Sequence, residues 1–176
     1  MPAPTTDARL QVAWQALEGL ADPEIPVITL RELGILRDVR EGPDGQLEVV
    51  ITPTYSGCPA MGQIEDDVQA TLAAHGLAAR VVTQLAPAWT TDWMDEAARD
   101  KLRRYGIAPP SCGRATPNTG STAVLRFAAR PVAEPVPCPH CGSDHTTEIS
   151  HFGSTACKAQ YRCLDCMEPF DYFKPY

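Results

Sequence analysis

The sequence predicts an α/β protein of the two-layer α+β type, with a small mixed three-stranded sheet and flanking helices, followed by a small cysteine-rich module. Three observations support this prediction. Helical and strand-like periodicities alternate over residues 1–107. Six prolines then mark residues 108–137 as a linker. Two CxxC pairs follow within residues 138–176. We therefore expect two folded segments joined by a proline-rich connection.

The first helix is predicted at residues 7–21, where an apolar stripe recurs at helical spacing. An Asp-Pro-Glu-Ile-Pro run at residues 22–26 ends it, because residues that precede proline avoid the helical region. Residues 35–41 and 46–52 flank Gly-Pro-Asp-Gly, a strong turn signal, so they are expected to pair as a β-hairpin. The stripe of the first helix consists of Leu10, Ala13, Trp14, Leu17 and Leu20.

A second helix is predicted at residues 59–74, and the valine-rich residues 79–85 predict a third strand. A helical crossover reaches this strand, so it should run parallel to its partner. A last helix is expected to end at Gly106. Trp89 and Trp93, which precede this helix, are expected to anchor the core or a loop. The apolar stripe of the last helix consists of Met94, Ala98, Leu102 and Tyr105.

Cys58 is a candidate functional residue because it lies where a strand ends and a helix begins. Pro59 is expected at the first helical position. That arrangement places the Cys58 thiol at the positive end of the helix dipole, which lowers a thiol pKa and favours the thiolate that binds metals or attacks electrophiles. The alternative is a small, buried, apolar residue at a turn.

Asp22 and Glu24 lie two residues apart in a proline-stiffened turn. Their carboxylates could meet a metal or a partner's basic groups, although solvated turn charges are an equally ordinary explanation.

Cys112, in the linker, is a candidate second thiol, with an incidental linker cysteine as the alternative.

Four cysteines in the last segment have the spacing of a zinc ribbon. Each CxxC pair forms a tight knuckle that points two sulfurs at one centre, so four thiolates are expected to hold a structural metal, with zinc favoured over iron. A module of about 40 residues buries too little surface to fold on apolar area alone, so this ion would supply much of its folding energy. The expected ligands are Cys138, Cys141, Cys163 and Cys166.

Cys157 lies outside both pairs. A buried small residue, a second reactive thiol and a member of a cluster site are the three alternatives for it. His140, His145 and His151 are not needed as ligands beside four cysteines.

The formal net charge of −7 argues against a nucleic-acid partner, because binding to phosphates depends on Lys and Arg. The ribbon itself holds three basic against five acidic side chains, so we expect it to dock protein. The sequence shows no membrane-length apolar run and no signal-peptide pattern, which predicts a cytoplasmic protein with reduced thiols. Its oligomeric state is left open, with a homodimer among the alternatives.

Two motifs, Asp-Pro-Glu-Ile-Pro at residues 22–26 and Thr-Tyr-Ser-Gly-Cys-Pro at residues 54–59, make the first segment resemble the SufT-like metal–sulfur cluster biosynthesis domain. The whole chain resembles the PaaD (PaaJ) family, on residues 55–61, 89–94, 152–158 and 166–175.

The resemblance implies a helper of the multicomponent phenylacetyl-CoA epoxidase of phenylacetate degradation, in which a di-iron oxygenase receives electrons from a flavin and iron–sulfur reductase. It implies that the protein assembles or delivers an iron–sulfur cluster to that reductase. Cys58 would be the functional thiol, with Asp22, Glu24 and Thr54 near it.

Three hypotheses about function follow. In the first, Cys58, with Cys112 or Cys157, transiently holds iron or a cluster, and the protein is an accessory factor and not an enzyme. In the second, Cys58 is the nucleophile of a thiol enzyme, but His75, the one histidine of the first segment, lies more than about 20 Å away by helix rise. In the third, the protein is a non-catalytic structural component of the epoxidase complex.

Overall fold

The structure, a computed structural model, describes residues 6–110 and 135–176. Cys112 and most of the predicted linker lie outside these ranges. The described residues form three α-helices, one short 3-10 turn and two sheets. Among them no helix is both long and apolar enough to cross a bilayer.

The first sheet has three strands in the order β1-β2-β3 and confirms the predicted hairpin and crossover. β1 pairs antiparallel with β2, and β3 pairs parallel with β2. α1 packs against β1 and α2, and α2 packs against β3, which gives the predicted two layers. The elements are α1 (Thr6–Glu18), β1 (Leu36–Glu41), β2 (Leu47–Ile51), α2 (Met61–Ala74), β3 (Ala79–Thr83) and α3 (Glu96–Tyr105).

The central strand β2 is buried on both faces. Leu47, Val49 and Ile51 point toward the helices and join the main apolar core. Glu48 points to the opposite face, where it pairs with Arg40 and Arg80 from the two neighbouring strands. The hydrogen bond from Arg80 and then that from Arg40 lower the pKa of Glu48, so this buried carboxylate stays ionised.

All three helix predictions need correction. α1 ends at Glu18, three residues before the predicted end, which leaves Leu20 outside the helix. α2 begins at Met61, with Ala60 as its N-cap, so Pro59 lies before the helix and not at its first position. The last helix, α3, begins at Glu96 behind an Asp95 cap, which leaves Met94 outside it, and Tyr105 is 51% exposed, not part of the buried stripe. α3 does end at Gly106, whose φ of 92° is the left-handed conformation that glycine adopts without strain.

The second sheet has four strands in the order β4-β7-β6-β5. β5 (Thr146–Ser150) and β6 (Lys158–Cys163) form the antiparallel hairpin of the ribbon. β7 (Pro169–Phe173) pairs antiparallel with β6. β4 (Ile107–Ala108) pairs parallel with β7, although it follows α3 directly in the first segment. One sheet therefore contains strands from both sides of the predicted linker. The division of the chain into two segments, with boundaries at residues 107 and 138, remains a prediction.

Side chains of the last segment also complete the core of the first. Phe173 and Cys157 belong to the main apolar cluster, together with the helix-facing residues of β2. The ring of Trp89 lies 6.0 Å from that of Phe173, and its indole N–H donates to the carbonyl of Leu33 at 2.9 Å. Trp93 is partly buried against the same cluster, so both tryptophans are anchors, as predicted. The two segments therefore pack as neighbours across a shared apolar core.

Candidate functional site

The two ribbon knuckles bring four cysteine sulfurs together. The Sγ atoms of Cys138, Cys141, Cys163 and Cys166 all lie within 4.8 Å of one another. In the first knuckle the Gly142 N–H donates to the Cys138 carbonyl at 2.8 Å, and Gly142 has a φ of 76°. A side chain at this left-handed position would be strained.

The spacing of the sulfurs fits a tetrahedral metal ion. Cys138 Sγ lies 3.8 Å from Cys166 Sγ, and Cys141 Sγ lies 3.6 Å from Cys163 Sγ. A metal–sulfur bond of about 2.3 Å requires tetrahedral sulfurs to lie about 3.8 Å apart. The four sulfurs and their spacing therefore match tetrahedral coordination of one metal ion, and the four cysteines are positioned for metal binding.

The Cys163 thiol is prepared for ionisation by the backbone. The N–H groups of Cys166 and Asp165 both donate to Cys163 Sγ at 3.4 Å. The Cys166 N–H is the largest influence that lowers the pKa of Cys163 to about 6. The two backbone N–H groups therefore favour the thiolate, the form that binds a metal.

Cys58 is half-buried in the loop that joins β2 to α2. Its N–H donates to the Tyr55 carbonyl at 3.2 Å, and its carbonyl accepts from the Met61 N–H at 3.4 Å. Burial raises the pKa of the Cys58 thiol, and negative charge on Glu24 and on Cys157 raises it further.

The expectation of a lowered Cys58 pKa is therefore wrong. The Ala60 N–H does favour the thiolate, as a helix start should, but desolvation outweighs it. Because α2 starts three residues after Cys58, the helix N-terminus also lies farther from the sulfur than predicted.

Asp22 and Glu24 face this loop from the turn after α1. Asp22 is 6% exposed, and its Oδ1 accepts the N–H groups of Glu24 and Ile25, each at 2.9 Å. Burial raises the pKa of both carboxyls, and the charge of Lys158 opposes this rise. The charges of both acids raise the pKa of the Cys58 thiol, that of Glu24 more than that of Asp22, and their placement as site residues stays a prediction.

Cys157 joins the site from the last segment. It is 6% exposed, and its sulfur lies 3.0 Å from Thr155 Oγ1. The Lys174 N–H donates to the Cys157 carbonyl at 2.9 Å. This hydrogen bond joins the loop before β6, which holds Cys157, to the residue that follows β7. Burial raises the pKa of Cys157, and the charge on Glu24 adds to the rise. Two segments that are far apart in sequence thus each place a thiol within the influence of the Glu24 charge.

A cavity of about 300 Å³ opens beside the Cys58 loop. Thr54, predicted to lie near Cys58, is 8% exposed and lines this cavity together with Tyr55, Trp89 and Tyr176. Thr52 also lines it, and its Oγ1 is buried without a hydrogen-bond partner in the described part of the chain.

The sequence did not single out Lys158, Tyr55 or Tyr176 as site residues. Lys158 is 5% exposed, and its Nζ lies 3.4 Å from Asp171 Oδ2. The Tyr176 hydroxyl donates to the Ala156 carbonyl at 3.2 Å. The available signal was the run Phe-Gly-Ser-Thr-Ala-Cys-Lys at residues 152–158, which contains two of the site's residues.

Alkylation tests the electrostatics of this site. With the ribbon ion retained and no iron added, we expect iodoacetamide to modify Cys58 slowly at pH 7 and faster as the pH rises above 9.0, the ordinary thiol pKa. The raised pKa keeps the thiol protonated at neutral pH, and only the thiolate reacts. Peptide mapping by mass spectrometry, with Cys58→Ser to assign the modified peptide, measures the rate. A rate that levels off below about pH 8 would contradict the raised pKa.

Comparison with known proteins places the chain in a family. A relative from Escherichia coli (strain K12), provisionally named as a component of 1,2-phenylacetyl-CoA epoxidase, is 47% identical over 165 residues, which cover 92% of this chain and 90% of the relative. The chain belongs to the PaaD family. Residues 126–174 of this PaaD-family chain match the profile described as the PaaD zinc beta ribbon domain, and residues 10–83 match the profile of iron–sulfur cluster assembly proteins.

Other relatives match about half of the PaaD-family chain. The Fe-S protein maturation auxiliary factor YitW of Bacillus subtilis (strain 168) is 36% identical over 90 residues, which cover 51% of this chain and 81% of YitW. A crystal structure of a DUF59 domain of unknown function from Bacillus anthracis is 27% identical and covers 55% of this chain and 93% of that domain, with a TM-score of 0.49.

Proposed function

We propose that this PaaD-family protein is an accessory maturation factor of a phenylacetyl-CoA epoxidase system, which assembles or delivers an iron–sulfur cluster to the reductase component. The observation that carries the proposal is the half-buried Cys58 thiol in the loop between β2 and α2, on which the charges of Glu24, Cys157 and Asp22 all act. The names of the relatives, an epoxidase component and Fe-S protein maturation factors, support the same role.

Iron is the cargo of such a protein, and its chemistry suits the side chains at this site. Thiolates are soft ligands that select iron–sulfur clusters and thiophilic metals, and carboxylates add hard oxygen ligands. Because burial raises the pKa of Cys58 and Cys157, both thiols are protonated when the site holds no metal. Return of these protons would help to release the cargo, which favours transfer over permanent storage.

The ribbon ion has a different role in this proposal. Zinc is the best occupant, because closed four-thiolate tetrahedral sites of this spacing are structural and have no redox chemistry. Such an ion would hold the ribbon in the fold and take no part in transfer. Its ligands would be the four ribbon cysteines described above.

The thiol-enzyme alternative is less well supported. A nucleophilic cysteine needs a depressed pKa or an adjacent base that activates it. In the described part of the chain, the charges of Glu24, Cys157 and Asp22 all oppose ionisation of Cys58. His75 caps the far end of α2, where its Nδ1 lies 2.9 Å from the Thr71 carbonyl oxygen. We therefore propose a non-enzymatic role for Cys58.

Replacing Cys58 by Ser tests the function. In cells that produce the epoxidase components with this variant, we expect reductase that is several-fold depleted in iron and sulfide, while the variant itself keeps its fold and its ribbon metal. Ser56→Ala, an exposed change in the same loop, is the matched control and should leave the reductase loaded.

Metal and sulfide analysis of purified reductase is the measurement. Fully loaded reductase from the Cys58→Ser strain would refute delivery through this thiol. Stoichiometric co-purification with the oxygenase that does not depend on Cys58, together with loaded reductase, would instead support a structural role in the complex.

A further inference from the structure

We propose that the cavity beside the Cys58 loop binds a neutral phenol, and that this phenol is the tyrosine side chain of a partner protein. The cavity has a volume of about 300 Å³ and is lined by Thr54 and Tyr55, which lie in the same loop as Cys58. The inference goes beyond the proposed function, because it concerns recognition of a partner and requires neither a metal nor a thiol.

The floor of the cavity holds a hydroxyl without a partner. Thr52 lines the cavity, follows β2 directly and is 1% exposed. Its N–H donates to the Ile35 carbonyl at 2.9 Å, which holds its main chain in place. Within residues 6–110 and 135–176, its Oγ1 is the one buried side-chain nitrogen or oxygen atom that makes no hydrogen bond. Such a hydroxyl destabilises a protein, so a ligand that bonds to it gains binding free energy.

The walls of the cavity are aromatic and uncharged. Trp89 and Tyr176 both line it, and their ring centroids lie 6.2 Å apart at an interplanar angle of 66°. The Trp89 N–H already donates to the Leu33 carbonyl. The Tyr176 hydroxyl already donates to the Ala156 carbonyl. None of the described lining residues is Asp, Glu, Lys, Arg or His. The walls therefore offer ring contacts that suit a neutral aromatic ligand.

The depth of the cavity sets the orientation of the ligand. Thr52 and Trp89 are buried, whereas Leu85 and Tyr176 are 59% and 44% exposed, so the cavity opens to solvent beside the exposed pair. A phenol whose hydroxyl reaches Thr52 would hold its para substituent at this opening. A tyrosine side chain has that form, with the hydroxyl at its tip and the main chain at the other end of the ring. An apolar cavity of about 150 Å³ holds benzene, so the volume here is sufficient.

A phenol also matches the chemistry of the floor. Its hydroxyl is neutral at pH 7, because the ordinary pKa of tyrosine is about 10. It can donate a hydrogen bond to Thr52 Oγ1 or accept one from it. Toluene has the same ring and methyl group as p-cresol but no hydroxyl, so it would leave Thr52 without a partner. The preference for p-cresol over toluene therefore reports this hydrogen bond.

Titration with p-cresol, the side chain of tyrosine, tests the site in the full-length protein with its ribbon ion retained. In proton–nitrogen NMR spectra we expect shifts at the Thr54 and Tyr55 amides and at the Trp89 indole. Thr52→Val should weaken p-cresol binding about 10-fold and leave toluene binding unchanged, because only the hydrogen bond is lost. Thr52→Ser keeps the hydroxyl and should keep the preference for p-cresol. Thr147→Val, an exposed change in β5, is the matched control and should bind as the wild type does.

Melting temperature and far-UV circular dichroism without ligand show whether each variant is folded. Thr52→Val should melt no lower than the wild type, since valine removes the hydroxyl that has no partner. A folded Thr52→Val that binds p-cresol as tightly as the wild type would overturn the site. A wild-type protein that does not bind p-cresol would overturn it as well, because water would then be sufficient as the partner of Thr52.

Two further measurements separate the source of the phenol and the proposed function. N-acetyltyrosinamide carries the same ring on a peptide main chain and should bind with the same dependence on Thr52. Binding of p-cresol but not of N-acetyltyrosinamide would overturn a protein as the source. Cys58→Ser should bind p-cresol as the wild type does, whether or not it depletes the reductase, so the site and the proposed function can fail separately.

Discussion

Replacing both Cys163 and Cys166 by Ser is expected to unfold the ribbon and to expose Cys58 as well. A structural four-thiolate ion supplies about 10–16 kcal/mol of binding free energy, which for so small a module is folding free energy. The ribbon also contributes Phe173 and Cys157 to the main apolar cluster. Loss of the ion should therefore lower the melting temperature of the whole protein and speed alkylation of Cys58.

Thermal denaturation followed by circular dichroism, with metal content and peptide mapping, measures this coupling. His145→Ala is the control: its side chain is exposed and pairs with Asp165 in the second knuckle, but it is not a ligand. This control should keep its metal and its melting temperature. A double cysteine variant that lost its metal yet kept the wild-type melting curve and Cys58 protection would show that the two segments are energetically independent.

Phe173→Ala is expected to destabilise the protein by about 3–5 kcal/mol, the usual cost of truncating a buried aromatic side chain. Phe173 is 1% exposed, and its ring packs against Trp89 across the junction of the two segments. For a chain of this size the melting temperature should fall by about 6–20 °C. Because the side chain belongs to the core of the first segment, the loss should appear in the unfolding of both segments.

Urea denaturation gives the free energy of unfolding for this comparison. Phe152→Ala provides a matched aromatic truncation at the surface, because Phe152 is 61% exposed, and it should change stability by only about 0.5 kcal/mol. Equal losses for the two variants would mean that Phe173 does not join the segments. Loss of structure confined to the ribbon in Phe173→Ala would lead to the same conclusion.

The fold was largely predictable because its elements have strong local patterns. The Gly-Pro-Asp-Gly turn predicted the hairpin, and the crossover helix predicted the parallel pairing of β3. β4 was missed because two residues, Ile107 and Ala108, carry no periodicity. The convergence of the four ribbon cysteines was predictable because CxxC spacing encodes their geometry locally.

The candidate site was harder to predict because its energetics are tertiary. The sequence places Cys58 before a helix, and a helix start lowers a thiol pKa. It does not show that burial and two carboxylates act in the opposite direction. Nor does it show that Cys157, 99 positions later, joins the same apolar cluster and is influenced by the charge of Glu24, since this depends on packing of the ribbon loop against the first segment.

The short strand β4 has a consequence for the segment that follows it. Ala108 and Val136 belong to one apolar cluster, so the chain leaves this cluster after β4 and returns to it at Val136. The packing of the two segments is therefore held by the apolar contacts they share and not by the length of the connection. Closing a longer connection costs only about 0.6 kcal/mol for each doubling of its length, so variants of different length should retain the same junction.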